Sequence, residues 1–479
     1  AVGIVKRDAI DPNSSAYLAW REDAISLRED LYAGISESWV DTTRLHVENK
    51  YSSADDIYQV LVDHVLEALD QDPKFYKRIF RYLVNDEVIT GRQLCVALYD
   101  QGVLEYDEQQ VQLLMAGGSQ YAYEFMKERI SEIDITPAQL ALDPCTGGVV
   151  ITDVNTGEVR ALVTYPSYDN NLLSGTVDAA YYNRLQDDLS LPLYNNATQA
   201  KKAPGSTFKP ITAIAGLEEH VITPEDKITC TGRYDDVTNP IRCWIYPGRH
   251  GELDVRGGIQ NSCNYFFGEL GYRMQMNTLR EYLVQFGLGE KTGIEIPEYA
   301  GKLPENPPGE DQAPWAAWGQ STQLYTPLQL ANYVATLVSG GKHCKAHLLK
   351  SAKTYDNSAV VATGDTTPVN TIDINDEDLQ AVKKGMKGLV EGSLSPYFRS
   401  CIVSAGAKTG TSQIHSDKKN DGVFICFAPY DDPEIAVAIA IERADAGAAL
   451  ASTAVKILNA YFAPSGDGAA VTGENQLLP

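Results

Sequence analysis

The feature that most restricts this chain is a change of hydrophobic period at Asp143-Pro144. Before it, apolar residues recur at helical spacing. Ile57, Val60, Leu61, Val65 and Leu69 share one face of a helix predicted over Asp56 to Leu69. Phe75 to Val88, Gln93 to Leu104 and Tyr123 to Ile133 carry less regular versions of that pattern, and Thr136-Pro137 reads as a helix start with Thr as cap and Pro in the first turn. After it, Val149, Ile151 and Val154 begin a strand, Asn155-Thr156-Gly157 makes a tight turn, and Val159 to Tyr165 returns as a second strand. A long, mainly helical and loop-rich section follows from about Leu172 to Gly392. Strands resume at Ala407 to Ile414, Gly422 to Ala428 and Glu434 to Glu442, and a helix is predicted over Ala448 to Phe462.

A domain that opens with two strands and closes with three can build one sheet from both of its ends, leaving the helices between as a second lobe. The expected organisation is therefore α+β: a mainly helical N-terminal domain over 1–142, a sheet-and-helix domain over 143–462 with a cleft between sheet and lobe, and a loose tail over 463–479. A length of 479 residues is itself more than one core accommodates.

Charge and cysteine content narrow the partners. The formal net charge of −24 repels phosphate backbones, so nucleic acid is excluded as a partner, and the acidity is read as solubility. No apolar run reaches the roughly 18 residues of a membrane span; Ile435 to Ile441 reads as a buried strand. A chain starting at Ala1 and not at Met is expected to be processed or trimmed, with any upstream signal or anchor out of view. None of the eight cysteines forms a C-x-x-C pair and no Cys/His group has zinc spacing, so no metal is expected. Cys230 and Cys243 bracket a polar, turn-rich stretch; they either close a small loop as a disulfide or stay as two thiols, which spacing does not decide. Cys95, Cys263 and Cys426 sit in apolar surroundings and read as small core residues.

Three constellations carry chemistry. In Pro204-Gly205-Ser206-Thr207-Phe208-Lys209-Pro210, a turn leads into the helical run ITAIAGLEE. Ser206 then sits at a helix N-terminus, where free N–H groups favour developing negative charge. Lys209, three residues on, returns to the same face and can take the hydroxyl proton if burial lowers its pKa. In Asn261-Ser262-Cys263-Asn264, Ser262 and Asn264 straddle one residue and can both face a cleft, the hydroxyl relaying a proton and the amide both donating and accepting; the competing reading is a helix cap followed by core aromatics. In the small-residue strand AGAKTGTSQ, Lys408, Thr409 and Thr411 can hold a carboxylate, while Gly410 lets another backbone lie close. Two partial matches serve as controls: Ser416 to Lys419 in a polar stretch with no following helix, and Lys291-Thr292-Gly293 entering a short edge segment. Neither is assigned chemistry. Each motif alone is common, and their order and local context make the signal strong.

From about Leu142 to Phe462 the chain resembles the penicillin-binding proteins, specifically their transpeptidase domain. Beyond the three motifs, GGVVITDVNTGEVRALVTYPSYDNN, PLYNNATQAKKAPGSTFKPIT, NSCNYFFGEL and WGQSTQLYTPLQLA look like that family. The resemblance implies a five-stranded antiparallel sheet flanked by helices plus a helical lobe. It implies that Ser206 attacks the carbonyl between two terminal D-alanines with Lys209 as base, that Ser262 passes the proton on, that Asn264 holds the acyl chain, and that Lys408 and Thr409 bind the terminal carboxylate with Thr411 assisting, in the strand where Gly410 lets the substrate lie close. It implies no cofactor and no metal. Implied partners are peptidoglycan stem peptides, β-lactams and a membrane-bound cell-wall synthesis complex, and the implied location is the outer face of the cytoplasmic membrane through an N-terminal anchor. No glycosyltransferase motif is found in the N-terminal third, which suits class B-like members with a pedestal there, although such pedestals contain more strand than this sequence does. A β-lactamase, a β-lactam sensor and a D,D-carboxypeptidase share the motifs. They differ by fast deacylation, by a multi-span membrane segment, and by water as acceptor.

Overall fold

The computed structural model describes residues 5–463 apart from 23, 42, 44, 46–52, 133, 136–144, 189, 306, 308–311 and 413–419. The chain divides into two compact units, Ala1–Asp143 and Pro144–Pro479. Among the described residues, no helix is long and apolar enough to cross a membrane.

The first unit is helical. Its helices include Leu27–Ser36, Ala54–Asp70, Pro73–Asn85, Gly91–Asp100, Glu108–Ala116 and Ser119–Ser131. Local chemistry sets several of their starts: Ser26 with Glu29, Ser53 with Asp56 and Thr90 with Gln93 are capping boxes, each satisfying orphan N–H groups from both directions. Ile57, Val60, Leu61 and Val65 do share a face, and they pack on Leu31, Ile35, Val40 and Leu45. A separate small core joins Cys95, Tyr99, Leu114, Ala122 and Phe125. The helix start read at Thr136-Pro137 lies outside the described residues.

The second unit is built on one antiparallel sheet of β1 (Gly147–Asp153), β2 (Val159–Tyr165), β3 (Gly406–Ser412), β4 (Asp421–Ala428) and β5 (Ile435–Ile441), in the order β3-β4-β5-β1-β2. Both ends of the unit meet where β1 pairs with β5, with Val150 opposite Ala438. Period-two alternation sends Val150, Val423, Ile425 and Ala438 to one face and Ile151, Phe424, Cys426 and Val437 to the other. Both faces are covered, which is why Ile435 to Ile441 is continuously apolar. On one side lie α1 (Lys209–Glu218) and α3 (Pro327–Val338), within a core that also takes in α2 (Asn264–Gln285) and most of α4 (Asp376–Glu391). On the other, Ala454, Val455 and Leu458 of α5 (Ala451–Phe462) close the second core. Each large aliphatic side chain so buried contributes roughly 1.5–3 kcal/mol.

The section between β2 and β3 is not only helix and loop. It also holds short antiparallel pairs, such as Ile228–Cys230 with Gly251–Leu253 and Arg233–Tyr234 with Ile241–Arg242. Runs of two or three residues are too short to register as a period, so the sequence pattern does not disclose them.

Candidate active site

The turn Gly205–Phe208 is a single 3-10 turn, and α1 follows from Lys209 with Pro210 in its first turn. Ser206 is half-buried at the head of that helix. Glycines let three backbones converge on it. Gly319 has φ +92°, and a Cβ there would lie 1.8 Å from the carbonyl oxygen of Gly205. The Gly205 N–H donates to the Gly319 carbonyl at 3.1 Å. On the other side, a Cβ at Gly410 would fall 2.5 Å from the Pro204 carbonyl oxygen, so β3 can press against the turn only because it carries glycine there.

Lys209 is fully buried at the start of α1, and its Nζ is held by three acceptors. It donates to the Ser262 carbonyl at 2.7 Å, to Asn264 Oδ1 at 2.8 Å and to Ser262 Oγ at 3.2 Å. Its Nζ also stands 5.5 Å from the centre of the Phe267 ring. Burial pulls its pKa down to about 7, against the opposing pull of the Cys263 and Cys243 sulfurs. Lys408, on β3, is also fully buried; its Nζ donates to Ser262 Oγ at 2.9 Å and to the Thr409 carbonyl at 3.0 Å. Burial, and then the neighbouring Lys209, hold its pKa well below the usual lysine value. The Ser262 hydroxyl is thus shared by two amines.

Ser262 adopts φ +50°, an uncommon conformation for a residue with a side chain, in the turn between the short helix Val255–Gln260 and α2. Cys263 then caps α2, its sulfur accepting the Phe266 N–H at 3.4 Å, and Asn264 opens the helix with its amide donating to the Arg242 carbonyl at 3.3 Å. The motif is therefore a helix cap whose flanking Ser262 and Asn264 side chains also face Lys209. β3 is an edge strand, with β4 on one side only. Thr409 is half-buried, Thr411 exposed, and the Thr411 carbonyl accepts from Gln320 Nε2 at 3.3 Å.

The fold thus brings together Ser262, Asn264, Lys209 and Lys408 through direct contacts, with Ser206, Thr409, Gly410 and Thr411 on the elements that adjoin them. Of the two control motifs, Ser416 to Lys419 lies outside the described residues. The other is a structural clasp: the Thr292 N–H and hydroxyl donate to Glu298 Oε2 at 3.0 and 2.9 Å, and the Gly293 N–H to Oε1 at 2.9 Å.

Sequence reading missed two things. Gly319 lies more than a hundred residues from the turn that it supports, in the segment Trp318-Gly319-Gln320, and nothing local marks that contact. More importantly, the ligand atoms of Cys230, Cys243, His250 and Cys263 all lie within 4.8 Å of one another. No Cys/His group has zinc spacing along the sequence, yet the fold gathers these four donors into one cluster. The donors come from separate segments, so no short spacing announces them. Cys230 and Cys243 are free thiols and not a disulfide.

Strands from both ends of one unit pair in a single sheet beside a buried helix that Ser206 precedes and Lys209 opens, the α+β architecture that the penicillin-binding resemblance implies. The narrower assignment follows from comparison: the chain belongs to the penicillin-binding protein transpeptidase domain family, whose model matches residues 147–462. It is 32% identical over 348 residues to the peptidoglycan D,D-transpeptidase MrdA of Haemophilus influenzae, covering 66% of this chain and 52% of that protein. The chain spans about half the length of the curated relatives that it matches. Among solved structures it resembles Pseudomonas aeruginosa PBP2 in complex with WCK 5153, at 28% identity and a TM-score of 0.60 over 66% of this chain and 71% of the other. It likewise resembles penicillin-binding protein A of Mycobacterium tuberculosis as a ceftriaxone acyl-enzyme complex, at 28% identity and a TM-score of 0.58 over 66% and 74%.

Proposed function

We propose that this chain is a peptidoglycan D,D-transpeptidase that forms an acyl-enzyme on Ser206 from stem peptides ending in D-Ala-D-Ala and passes the acyl group to an acceptor amine. The observation that carries this reading is the state of Lys209. Lys209 is fully buried, and burial lowers its pKa to about 7, so near neutral pH a substantial fraction of it is the neutral amine, three residues from Ser206, that can serve as base for the hydroxyl.

The proposed steps are these. Ser206 Oγ attacks the carbonyl of the penultimate D-alanine as Lys209 Nζ takes its proton. The negative oxygen is received by the backbone N–H groups of Ser206 and Thr411, where one such donor is worth about 3–4 kcal/mol. The proton passes from Lys209 through Ser262 Oγ, 3.2 Å away, to the departing D-alanine nitrogen. Asn264 holds the acyl chain. Lys408, Thr409 and Thr411 hold the terminal carboxylate, and Gly410 permits the close backbone approach. The free edge of β3 offers main-chain groups to the peptide as an added strand. An amine of a neighbouring stem peptide then attacks the ester, giving the cross-link and regenerating Ser206; with water as acceptor the same steps give carboxypeptidase activity. A β-lactam ring opened by Ser206 stays attached as a slow ester.

The substrate lies outside the cell, so we place the protein at the outer face of the cytoplasmic membrane, working within a cell-wall synthesis complex. Residues 143–462 carry the chemistry and 1–142 serve as a pedestal; 464–479, where the sequence leads one to expect a loose tail, lie outside the described residues. Cys230, Cys243, His250 and Cys263 suit a soft divalent ion, which when bound would brace the Ser262-Cys263-Asn264 turn and take no part in the acyl transfer.

The test is turnover of a synthetic pentapeptide ending in D-Ala-D-Ala, with and without an added acceptor amine. The proposal expects D-alanine release, a new amide with the acceptor, and loss of both in Ser206→Ala. Release that persists in Ser206→Ala would overturn it.

A further inference from the structure

The helix Pro73–Asn85 in the first unit carries a charge opposite to that of the chain around it. Its 13 residues, PKFYKRIFRYLVN, hold Lys74, Lys77, Arg78 and Arg81 and no acid, in a chain of net charge −24. Acids resume just outside it, at Asp72 and Asp86, so the basic run coincides with the helix. At about 3.6 residues per turn, the four basic positions fall within roughly 100° of arc. Phe75, Tyr76, Ile79, Phe80 and Leu83 occupy the opposite arc, with Tyr82 at its border.

The apolar arc has little cover. The preceding helix, Ala54–Asp70, packs its own apolar face on Leu31, Ile35, Val40 and Leu45. Among the described side chains of Pro73–Asn85, by contrast, none is buried and none joins an apolar cluster of the first unit. Tyr76 is 50%, Ile79 39% and Tyr82 67% exposed, so three large side chains meet solvent within two turns. The Tyr76 hydroxyl donates to Asp70 Oδ1 at 2.7 Å, a bond that leaves its ring outward. Arg78, on the basic arc, is exposed as well. Adjoining apolar side chains left in water mark an interaction surface.

The chemistry of the two arcs selects the occupant. Apolar and aromatic residues along one side and Lys and Arg along the other match an anionic lipid surface. Rings and aliphatic chains enter the boundary between headgroups and acyl chains, tyrosine suits that boundary by being apolar at one end and polar at the other, and cations meet the lipid phosphates. A helix of about 20 Å is too short to cross a hydrocarbon core of about 30 Å, so it would lie in the surface and not span it.

We propose that the helix Pro73–Asn85 is a peripheral membrane contact, seating its apolar arc in the headgroup region of an anionic bilayer with its basic arc toward the lipid phosphates. The contact involves no acyl chemistry and no spanning segment. It adds a surface attachment to the location proposed above, and its test does not depend on that location.

The test is co-sedimentation of the full chain with vesicles of phosphatidylcholine, alone or mixed equally with phosphatidylglycerol. Labelling by a fluorescent penicillin is read on the same samples. The chain is expected to bind the anionic vesicles roughly tenfold more tightly than the zwitterionic ones, and to release them in high salt. The combined variant Lys74→Gln, Lys77→Gln, Arg78→Gln and Arg81→Gln is expected to lose that preference. Ile79→Ser with Tyr82→Ser is expected to weaken binding to the anionic vesicles by roughly tenfold with every charge kept. Both variants should label with penicillin at the parent rate. If the charge variant unfolds, the salt dependence of the parent chain decides in its place. A chain that binds neither vesicle, or binds both alike regardless of salt, overturns the proposal. So does self-association through this helix, read by light scattering, that keeps the chain off the vesicles. Binding that survives both sets of substitutions overturns the assignment to this helix. A chain that binds anionic vesicles as expected but takes no penicillin supports the contact and overturns the functional reading instead.

Discussion

Lys209 Nζ donates a 2.8 Å hydrogen bond to Asn264 Oδ1, a residue 55 positions later at the head of a different helix. The contact joins α1 to α2 at the cleft. It spends one of the lysine's few polar partners in a place where burial disfavours its charge. Three donated bonds belong to the ammonium; the neutral amine keeps two N–H groups, enough for the Ser262 carbonyl and Asn264 Oδ1, and its lone pair is then available to accept a proton, which is what a base requires.

The first prediction concerns pH. The Lys209 pKa is depressed to about 7, so its neutral form grows as pH rises through that value. Acylation by a β-lactam should therefore increase with pH through about 7 and level off above it. The sign for stability is the same: between about 7 and the ordinary lysine value of 10.5, the unfolded chain binds a proton that the folded one does not, so this group adds stability as pH rises. Stopped-flow labelling across pH checks the rate, and Lys209→Arg, which keeps the charge, should lose about 10²–10⁴-fold.

Gly319 is predicted to be intolerant of any side chain. Its φ of +92° and the 1.8 Å separation of a would-be Cβ from the Gly205 carbonyl oxygen leave no room for rotation to relieve the clash. Gly319→Ala should cost about 2–4 kcal/mol from overpacking and backbone strain together, read as a lowered unfolding midpoint. If the chain still folds, labelling of Ser206 should slow because the turn that carries it has moved.

Lys202 anchors the approach to that turn. It is buried, stands 3.3 Å from Asp421 Oδ2 at the start of β4, and also donates to Glu442 just beyond β5. Burial pushes the Glu442 carboxyl up, but Lys202 outweighs it and the net pKa is lowered. Lys202→Met should cost about 3 kcal/mol, because two acids lose their cation. The sign for Glu442 follows: its contribution is present above the ordinary glutamate range and disappears as pH falls through the lowered pKa. Denaturant unfolding of both forms at neutral and acid pH would show the difference shrink.

The clasp at Thr292 separates structure from chemistry. Thr292→Ala should leave the labelling rate near that of the parent, because this Lys-Thr-Gly touches Glu298 and not the cleft. It should lower stability by about 1–3 kcal/mol, since the buried Glu298 loses a donor. A large loss of labelling without a loss of stability would mean that the motif assignment is reversed.

What was legible in the sequence was local. All five strands were read as strands, and cover on both sheet faces explains why β4, from Gly422 on, and β5 are continuous apolar runs and not alternating ones. Ser206 and Lys209 were legible because one helical turn relates them, as were Lys408 and Gly410 within one strand. Relationships that the fold makes across long separations were not. Gly319 under Gly205, and Cys230 beside Cys263, become neighbours only once the lobe has closed. Cys263 was read as a small core residue, which its complete burial supports, yet burial and ligation make the same demand on a thiol.

The central claim is that Ser206 is the nucleophile, and covalent labelling tests it most directly. The protein would be treated with a penicillin, denatured, and followed by intact mass and peptide mapping over hours. The account predicts one stable adduct, mapped to Ser206 and absent in Ser206→Ala. An adduct on Ser416, or one that survives Ser206→Ala, would contradict it.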